Sequence, residues 1–191
     1  MIILKNNKME CIQNIEKFLN DHEKGMLITG TNQYEKHKLV MATINKHFKN
    51  AKILFRINAM KNILDEEFIG WTGIKRKSIK SGERVKIGNN FYEFDSFNAR
   101  KTWYETNSTY DFAIIYPIDA LLREKKFDAI DNLYNRNIKK IFLVSWTDHK
   151  YYNYDLISKY YEKQSVYDAA EEDIDYHNRV LNIINKRWGD D

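Results

Sequence analysis

Apolar positions along this chain alternate between two spacings. Over residues 9–23, Met9, Ile12, Ile15, Phe18 and Leu19 recur at helical intervals, and Gly25 reads as the glycine that closes that helix. Met26-Leu27-Ile28-Thr29 follows as a short apolar run, the signature of a strand buried on both faces. Helical spacing returns over 34–48 through Leu39, Val40, Ile44 and Phe48. A second strand is expected at Lys52–Ile57 and a short helix at 60–69. Asp111–Tyr116 and Lys140–Ser145 read as further buried strands, separated by a helix over 119–136. Two helices are expected near 153–163 and 170–187, the last with Ile174, His177, Leu181, Ile184 and Trp188 on a packed face.

Residues 71–97 break this rhythm. Ser81-Gly82 and Gly88-Asn89-Asn90 supply turn chemistry between runs rich in Val, Ile, Phe and Tyr, so this stretch predicts an inserted β-hairpin or small three-stranded meander. Elsewhere, buried strands alternating with helices predict an α/β fold, a mainly parallel sheet covered by helices on both faces.

With 191 residues, one α/β domain is expected. Apolar residues make up 43% and charged residues 30%, which is globular composition and excludes a disordered chain. One proline and seven glycines exclude collagen-like and proline-rich architectures. The single cysteine, Cys11, excludes an intrachain disulfide and a Cys-based zinc site, and reads as a small core residue. No apolar stretch approaches the ~18 residues of a membrane span, and the first residues do not form a secretory signal, so a cytoplasmic protein with no membrane contact is expected.

The net charge of +4 is mild, but its distribution is not. Residues 71–101 carry Lys75, Arg76, Lys77, Lys80, Arg84, Lys86, Arg100 and Lys101 against Glu83, Glu93 and Asp95, a net of +5, while residues 148–191 have a net of −4. The basic segment reads either as a solvated face or as an element that meets phosphate or an acidic partner. Lys75, Arg76, Lys77, Lys80, Arg84 and Lys86 are its candidate polyanion contacts, with Trp71, Phe91, Tyr92 and Trp103 available to stack on bases. The same aromatics suit a protein interface or the packing of the hairpin base, and the opposite charge of the C-terminal segment admits a homo-oligomer.

In parallel α/β sheets, ligands bind beyond the carboxyl ends of the strands. The loop after the first strand reads Gly30-Thr31-Asn32-Gln33-Tyr34-Glu35-Lys36-His37. A phosphate loop requires G-x-x-x-x-G-K-[ST] between a buried strand and a helix, so that backbone amides cradle phosphate, the lysine meets its charge and the hydroxyl holds magnesium. Gly30 and Lys36 stand at that spacing, whereas Glu35 replaces the second glycine and His37 the hydroxyl. Gly30, Thr31, Lys36 and His37 are therefore the candidate phosphate-binding residues, and a nucleotide is the only cofactor they suggest.

The order of elements over residues 25–148 resembles a P-loop NTPase of the class that inserts a strand between the phosphate loop and the acidic strand, with the AAA+ ATPases as the nearest group. The resemblance implies two acids after Phe112-Ala113-Ile114-Ile115, where this chain has Tyr116 and Pro117, followed by Ile118-Asp119-Ala120-Leu121. It also implies a polar sensor residue where Ser145-Trp146-Thr147-Asp148 follow Ile141–Val144. Asp119 and Asp148 are available to magnesium from displaced positions, although Asp119 also suits a helix cap after Pro117. The resulting expectation is a degenerate P-loop-like domain that binds a protein or nucleic acid without hydrolysing nucleotide.

The alternative is an active enzyme, either an unconventional NTPase or a metal-dependent nuclease using Glu93, Asp95 and Lys101. Glu93 and Asp95 also fit the polar face of a strand. His22, His37, His47, His149 and His177 show no paired metal spacing, and no G-x-S-x-G elbow occurs.

Overall fold

The computed structural model describes residues 7–148 and 152–186; His149 and Trp188 lie outside these residues. Helix α1 (Asn7–Asn20) leads into β1 (Gly25–Thr29), followed by α2 (Lys36–His47), β2 (Lys52–Ile57), β3 (Val85–Ile87) and β4 (Asn90–Ser96). Next come β5 (Thr109–Ile115), α3 (Ile118–Arg123), α4 (Phe127–Tyr134), β6 (Asn137–Val144), β7 (Lys163–Val166) and α5 (Ile174–Lys186). The seven strands form one sheet in the order β3-β4-β2-β5-β6-β1-β7. Only the β3–β4 pair is antiparallel. Strand β6 lies between β1 and β5, which is the inserted strand the resemblance implies.

Period-two alternation divides the strand residues between two cores. Met26, Ile28, Ile53, Phe55, Phe112, Ile114, Phe142 and Val144 face α1 and α2, packing with Ile15, Phe18, Val40 and Ile44. Leu27, Leu54, Ala113, Ile115, Ile141 and Leu143 face the other way, packing with Leu121, Ile130 and Leu133 of α3 and α4. Both faces are thus covered by helices, as the apolar runs predict.

Several local expectations change. Gly25 opens β1 instead of closing α1, because a side chain there would lie 1.9 Å from the Tyr160 carbonyl oxygen. The expected helix at 60–69 reduces to a 3-10 turn at Met60–Asn62. The helix over 119–136 breaks into α3 and α4 near Lys125, which takes a positive φ of 53°. The helix near 153–163 is a 3-10 segment, Tyr154–Tyr160, and β7 follows it. In α5, Val180 and Ile184 are buried while Ile174 and Leu181 are exposed, so the packed face is rotated from the expected one.

The 71–97 segment contains a hairpin, β3–β4, turned through Gly88 at φ 58°. It is not an appendage. Strand β4 joins the main sheet in parallel with β2, from Lys52↔Phe91 to Ile57↔Ser96, and no third meander strand forms among the described residues. No described helix is long and apolar enough to cross a membrane.

Candidate functional site

The phosphate-loop candidate sits where expected, between the carboxyl end of β1 and the start of α2. Gly30 adopts φ 123°, and a Cβ there would fall 2.3 Å from the Tyr167 carbonyl oxygen. The chain leaving β7 and the loop after β1 therefore close on each other's backbone only because residue 30 is glycine. This positive φ is the conformation a tight loop needs.

The first four amides of the loop, Gly30 to Gln33, already have internal acceptors. The Gly30 amide donates to Asp148 Oδ2, and the Thr31 amide to Asp168 Oδ1 at 2.8 Å. The Asn32 amide donates to the Tyr167 carbonyl at 3.2 Å, and the Gln33 amide to the Tyr176 hydroxyl at 3.3 Å. The Thr31 hydroxyl accepts from the Ala169 amide at 3.0 Å and lies 2.6 Å from His177 Nδ1. Residues 167–177 therefore strap the loop from the far end of the sequence.

Lys36 is fully buried and turned back into the protein, donating to the Gly30 carbonyl and, at 3.1 Å, to the Trp146 carbonyl. Burial pulls its ammonium below its ordinary pKa, against the attraction of Asp148, Asp119 and Asp168. His37, also fully buried, stacks on Tyr116 with centroids 4.2 Å apart and places Nε2 3.0 Å from the Phe68 carbonyl. Burial pushes its pKa down to about 3, so the ring is neutral. The two positions that the resemblance implies for magnesium are thus an aromatic stack of His37 and Tyr116, and Pro117 stands at the position implied for orienting water.

Asp119 is not the helix cap. Pro117 occupies that place, and the Asp119 carboxylate instead accepts the Trp146 amide at 2.6 Å, joining the ends of β5 and β6. Burial raises its pKa to about 6. Asp148 also accepts the Tyr154 hydroxyl at 2.8 Å. Among the described residues, no group of three or more His, Cys, Asp or Glu side chains is placed to hold a metal ion.

Of the nuclease candidates, Lys101 is exposed, whereas Glu93 and Asp95 are each satisfied inside the protein. Asp95 is fully buried in a two-point pair with Arg56, at 2.7 and 2.6 Å, while Arg56 also donates to the Ala129 carbonyl at 2.7 Å and lies over Trp103. Burial works to raise the Glu93 carboxyl, but hydrogen bonds from Tyr110, Asn107 and Arg84 together hold it below the ordinary value. These two acids are a buried brace, not a solvated strand face.

The six polyanion candidates, Lys75, Arg76, Lys77, Lys80, Arg84 and Lys86, are all exposed. Two are neutralised locally: Arg76 pairs with Glu83, and Arg84 with Glu93 at 3.1 Å. Of the aromatics, Tyr92 and Trp103 are buried in the two cores, and only Trp71 and Phe91 reach the surface. An open cleft of about 600 Å³ lies at the carboxyl ends of β2 and β4, lined by Asn58, Lys61, Lys80, Asn98, Lys101 and Glu105 among others.

The strap residues Asp168, Tyr176 and His177 carry no signal that sequence spacing alone could assign to the loop. The one available cue is the run Asp168-Ala169-Ala170-Glu171-Glu172-Asp173, an acidic cluster before a helix, but the strand that places it, Lys163-Gln164-Ser165-Val166, has no apolar run.

No protein-family model and no curated protein matches the chain. Among solved structures it is similar to the large terminase from a thermophilic bacteriophage, with TM-score 0.53 and 9% identity over 85% of this chain and 44% of that one. The same terminase in complex with ADP gives TM-score 0.56 and 9% identity over 96% of this chain and 50% of that one. The chain thus spans about half the length of the solved structures it matches. At this identity the likeness establishes the fold alone, a mostly parallel, P-loop-like α/β sheet.

Proposed function

We propose that this chain is a degenerate P-loop-like binding domain that does not hydrolyse nucleotide and acts through contacts of its basic 71–101 segment with a nucleic acid or a protein. One observation carries the first half: the Gly30 and Thr31 amides are already bound by the carboxylates of Asp148 and Asp168. Phosphoryl transfer depends on positioning and on positive charge at the transferred group. Two carboxylates in the amide cradle oppose a phosphate, and Lys36 is engaged by two backbone carbonyls. Tyr116 and Pro117 replace the acids that would orient metal and water.

A nucleotide remains the ligand that a loop in this position would take, and the solved terminase in complex with ADP supports testing it. Here it would have to displace both carboxylates. Purified protein with magnesium and ATP or GTP is expected to show no turnover above background. Turnover that disappears in Lys36→Ala would overturn the reading and identify an unconventional NTPase. Measurement by phosphate release, with folding of the variant checked by its melting curve, separates loss of catalysis from loss of fold.

A further inference from the structure

We infer that the cleft at the carboxyl ends of β2 and β4 is a binding site for single-stranded nucleic acid, with Lys61, Lys80 and Lys101 meeting backbone phosphates and Tyr104 offering a base platform. The inference rests on the proposed role of the 71–101 segment and narrows it to one place and one ligand class.

The basic residues of this region sort into two groups. The arginines are matched to carboxylates: Arg76 to Glu83, Arg84 to Glu93, and Arg100 to Asp128 at 2.7 Å. The three lysines of the cleft are exposed, and their ammonium groups make no ion pair or hydrogen bond among the described residues. They come from three separate stretches: Lys61 from the turn after β2, Lys80 from the loop before β3, and Lys101 from the 3-10 helix Arg100–Glu105 after β4. Three lysines from distant parts of the sequence thus line one cleft with no carboxylate in ion-pair contact, although the charge of Lys80 acts on Glu83, and together they offer a cationic track to a polyanion.

The cleft walls are built, not draped. Ser96 Oγ donates to the Asn58 carbonyl at 2.5 Å, tying the ends of β4 and β2 together. Gly82, at φ 74°, lets the 80–82 turn approach so closely that a Cβ would lie 1.9 Å from the Glu105 carbonyl oxygen. Ser81 Oγ donates to the Glu105 carboxylate, which occupies the one acid of the lining. Asn58 and Asn98 add neutral donors of the kind that contact phosphate and sugar.

On the 3-10 helix that supplies Lys101 and Glu105, Tyr104 is 88% exposed, the most exposed large hydrophobic side chain described. Tyr104 lies outside the cleft lining but three residues from Lys101, on the same face of that 3-10 helix, so a stacking surface adjoins the cationic track in the combination that binds single strands. A duplex keeps its bases stacked on one another and would use the lysines alone.

The test is fluorescence anisotropy with labelled oligothymidylate, oligouridylate and a duplex of mixed sequence, at about 50 and about 200 mM salt. Wild type is expected to bind both single strands and to weaken at the higher salt. The Lys61→Ala, Lys80→Ala, Lys101→Ala triple variant is expected to lose at least about tenfold in affinity, and its log–log salt slope to fall by about 2, at about 0.7 per lost contact. Tyr104→Ala should weaken single-strand binding by about tenfold and leave duplex binding unchanged. A Lys75→Ala, Lys77→Ala, Lys86→Ala variant removes equal charge from the same segment outside the cleft and should lose less affinity and less salt slope than the cleft variant. If that variant loses as much as the cleft variant or more, the cleft inference fails while the basic-segment reading survives. If wild type binds none of the probes at low salt, the nucleic-acid arm of both fails, and the phosphate-release assay still judges the non-hydrolysing reading alone. Equal loss on duplex and single strands in Tyr104→Ala overturns the stacking role and the single-strand assignment.

Discussion

After β1 the chain turns through Gly30–Gln33 and each of those amides finds a partner within the protein. After β2 and β4, at the same carboxyl edge of the same sheet, it leaves three lysines facing an open cleft. Strand direction makes both places competent for ligands. What separates them is the supply of acids. The 148–191 stretch brings Asp148 and Asp168 to the first and fills it, while near the second Asp95, Glu83, Glu93 and Asp128 are committed to Arg56, Arg76, Arg84 and Arg100. Glu105 is the one acid lining the cleft, and it accepts from Ser81. In this chain the position the fold offers for a ligand and the position left chemically available have come apart.

Four experiments on stability and binding press on that contrast. The largest effect is expected at Asp95. If it is the brace beneath the cleft, Asp95→Ala strands the buried Arg56 guanidinium and should cost about 3–5 kcal/mol in denaturant unfolding, as breaking one partner of a buried pair does. An unchanged midpoint would return Asp95 to the list of candidate metal ligands.

The filled end has a pH signature. The Asp119 carboxyl, raised by burial to about 6 from 3.8, keeps its proton in the folded chain where the unfolded chain releases it. Its contribution to stability is fully present below about pH 4 and is lost as pH rises through about 6. His37 works in the opposite sense. Lowered to about 3 from 6.5, it contributes stability above 6.5 that is lost as pH falls. The two slopes offset each other over the shared window. Asp119→Asn retains an acceptor for the Trp146 amide and removes only the titration, so on acidification from about pH 6 to about pH 4 the variant should lose about 2–3 kcal/mol more than wild type. Parallel curves would mean that Asp119 does not hold its proton in the fold.

A smaller effect is expected from emptying the loop of charge. Asp148→Asn with Asp168→Asn keeps acceptors near the Gly30 and Thr31 amides while removing two negative charges. Affinity for a fluorescent ADP analogue should rise by about tenfold, the scale of one or two partly screened charge interactions. An unchanged affinity would show that the geometry of the strap, not its charge, closes the site. The smallest effect is expected from the Lys75, Lys77 and Lys86 variant, near zero on stability, since exposed substitutions change stability by about 0.5 kcal/mol or less, and on binding smaller than that of the cleft variant.

The sheet was legible because its strands are buried on both faces: Met26–Ile28, Ile53–Phe55, Phe112–Ile115 and Ile141–Val144 announce themselves as apolar runs. The strands carrying polar residues were not. β7 has a single buried residue, Ser165, and reads as polar chain, while β4 alternates with Glu93 and Asp95, whose burial depends on Arg56 and Tyr110 from elsewhere in the sequence. The loop position and Lys36 followed from spacing. Their occupation by Asp168, His177 and Tyr176 rests on contacts spanning about 140 residues, and nothing local in either segment encodes them. Lys61 carries no local signal for the complementary reason, since it lies outside the charge-rich run and joins the others only through the fold.

The two ends of the strand order also govern how copies of this chain can meet. At one border stands β3, three residues long with Lys86 at its centre, and at the other β7, four residues long and opening with Lys163. Short borders carrying lysine discourage the backbone pairing by which sheets extend from molecule to molecule. Self-association of this protein would therefore have to proceed through side-chain surfaces, and a continuous intermolecular sheet is the assembly its borders resist most.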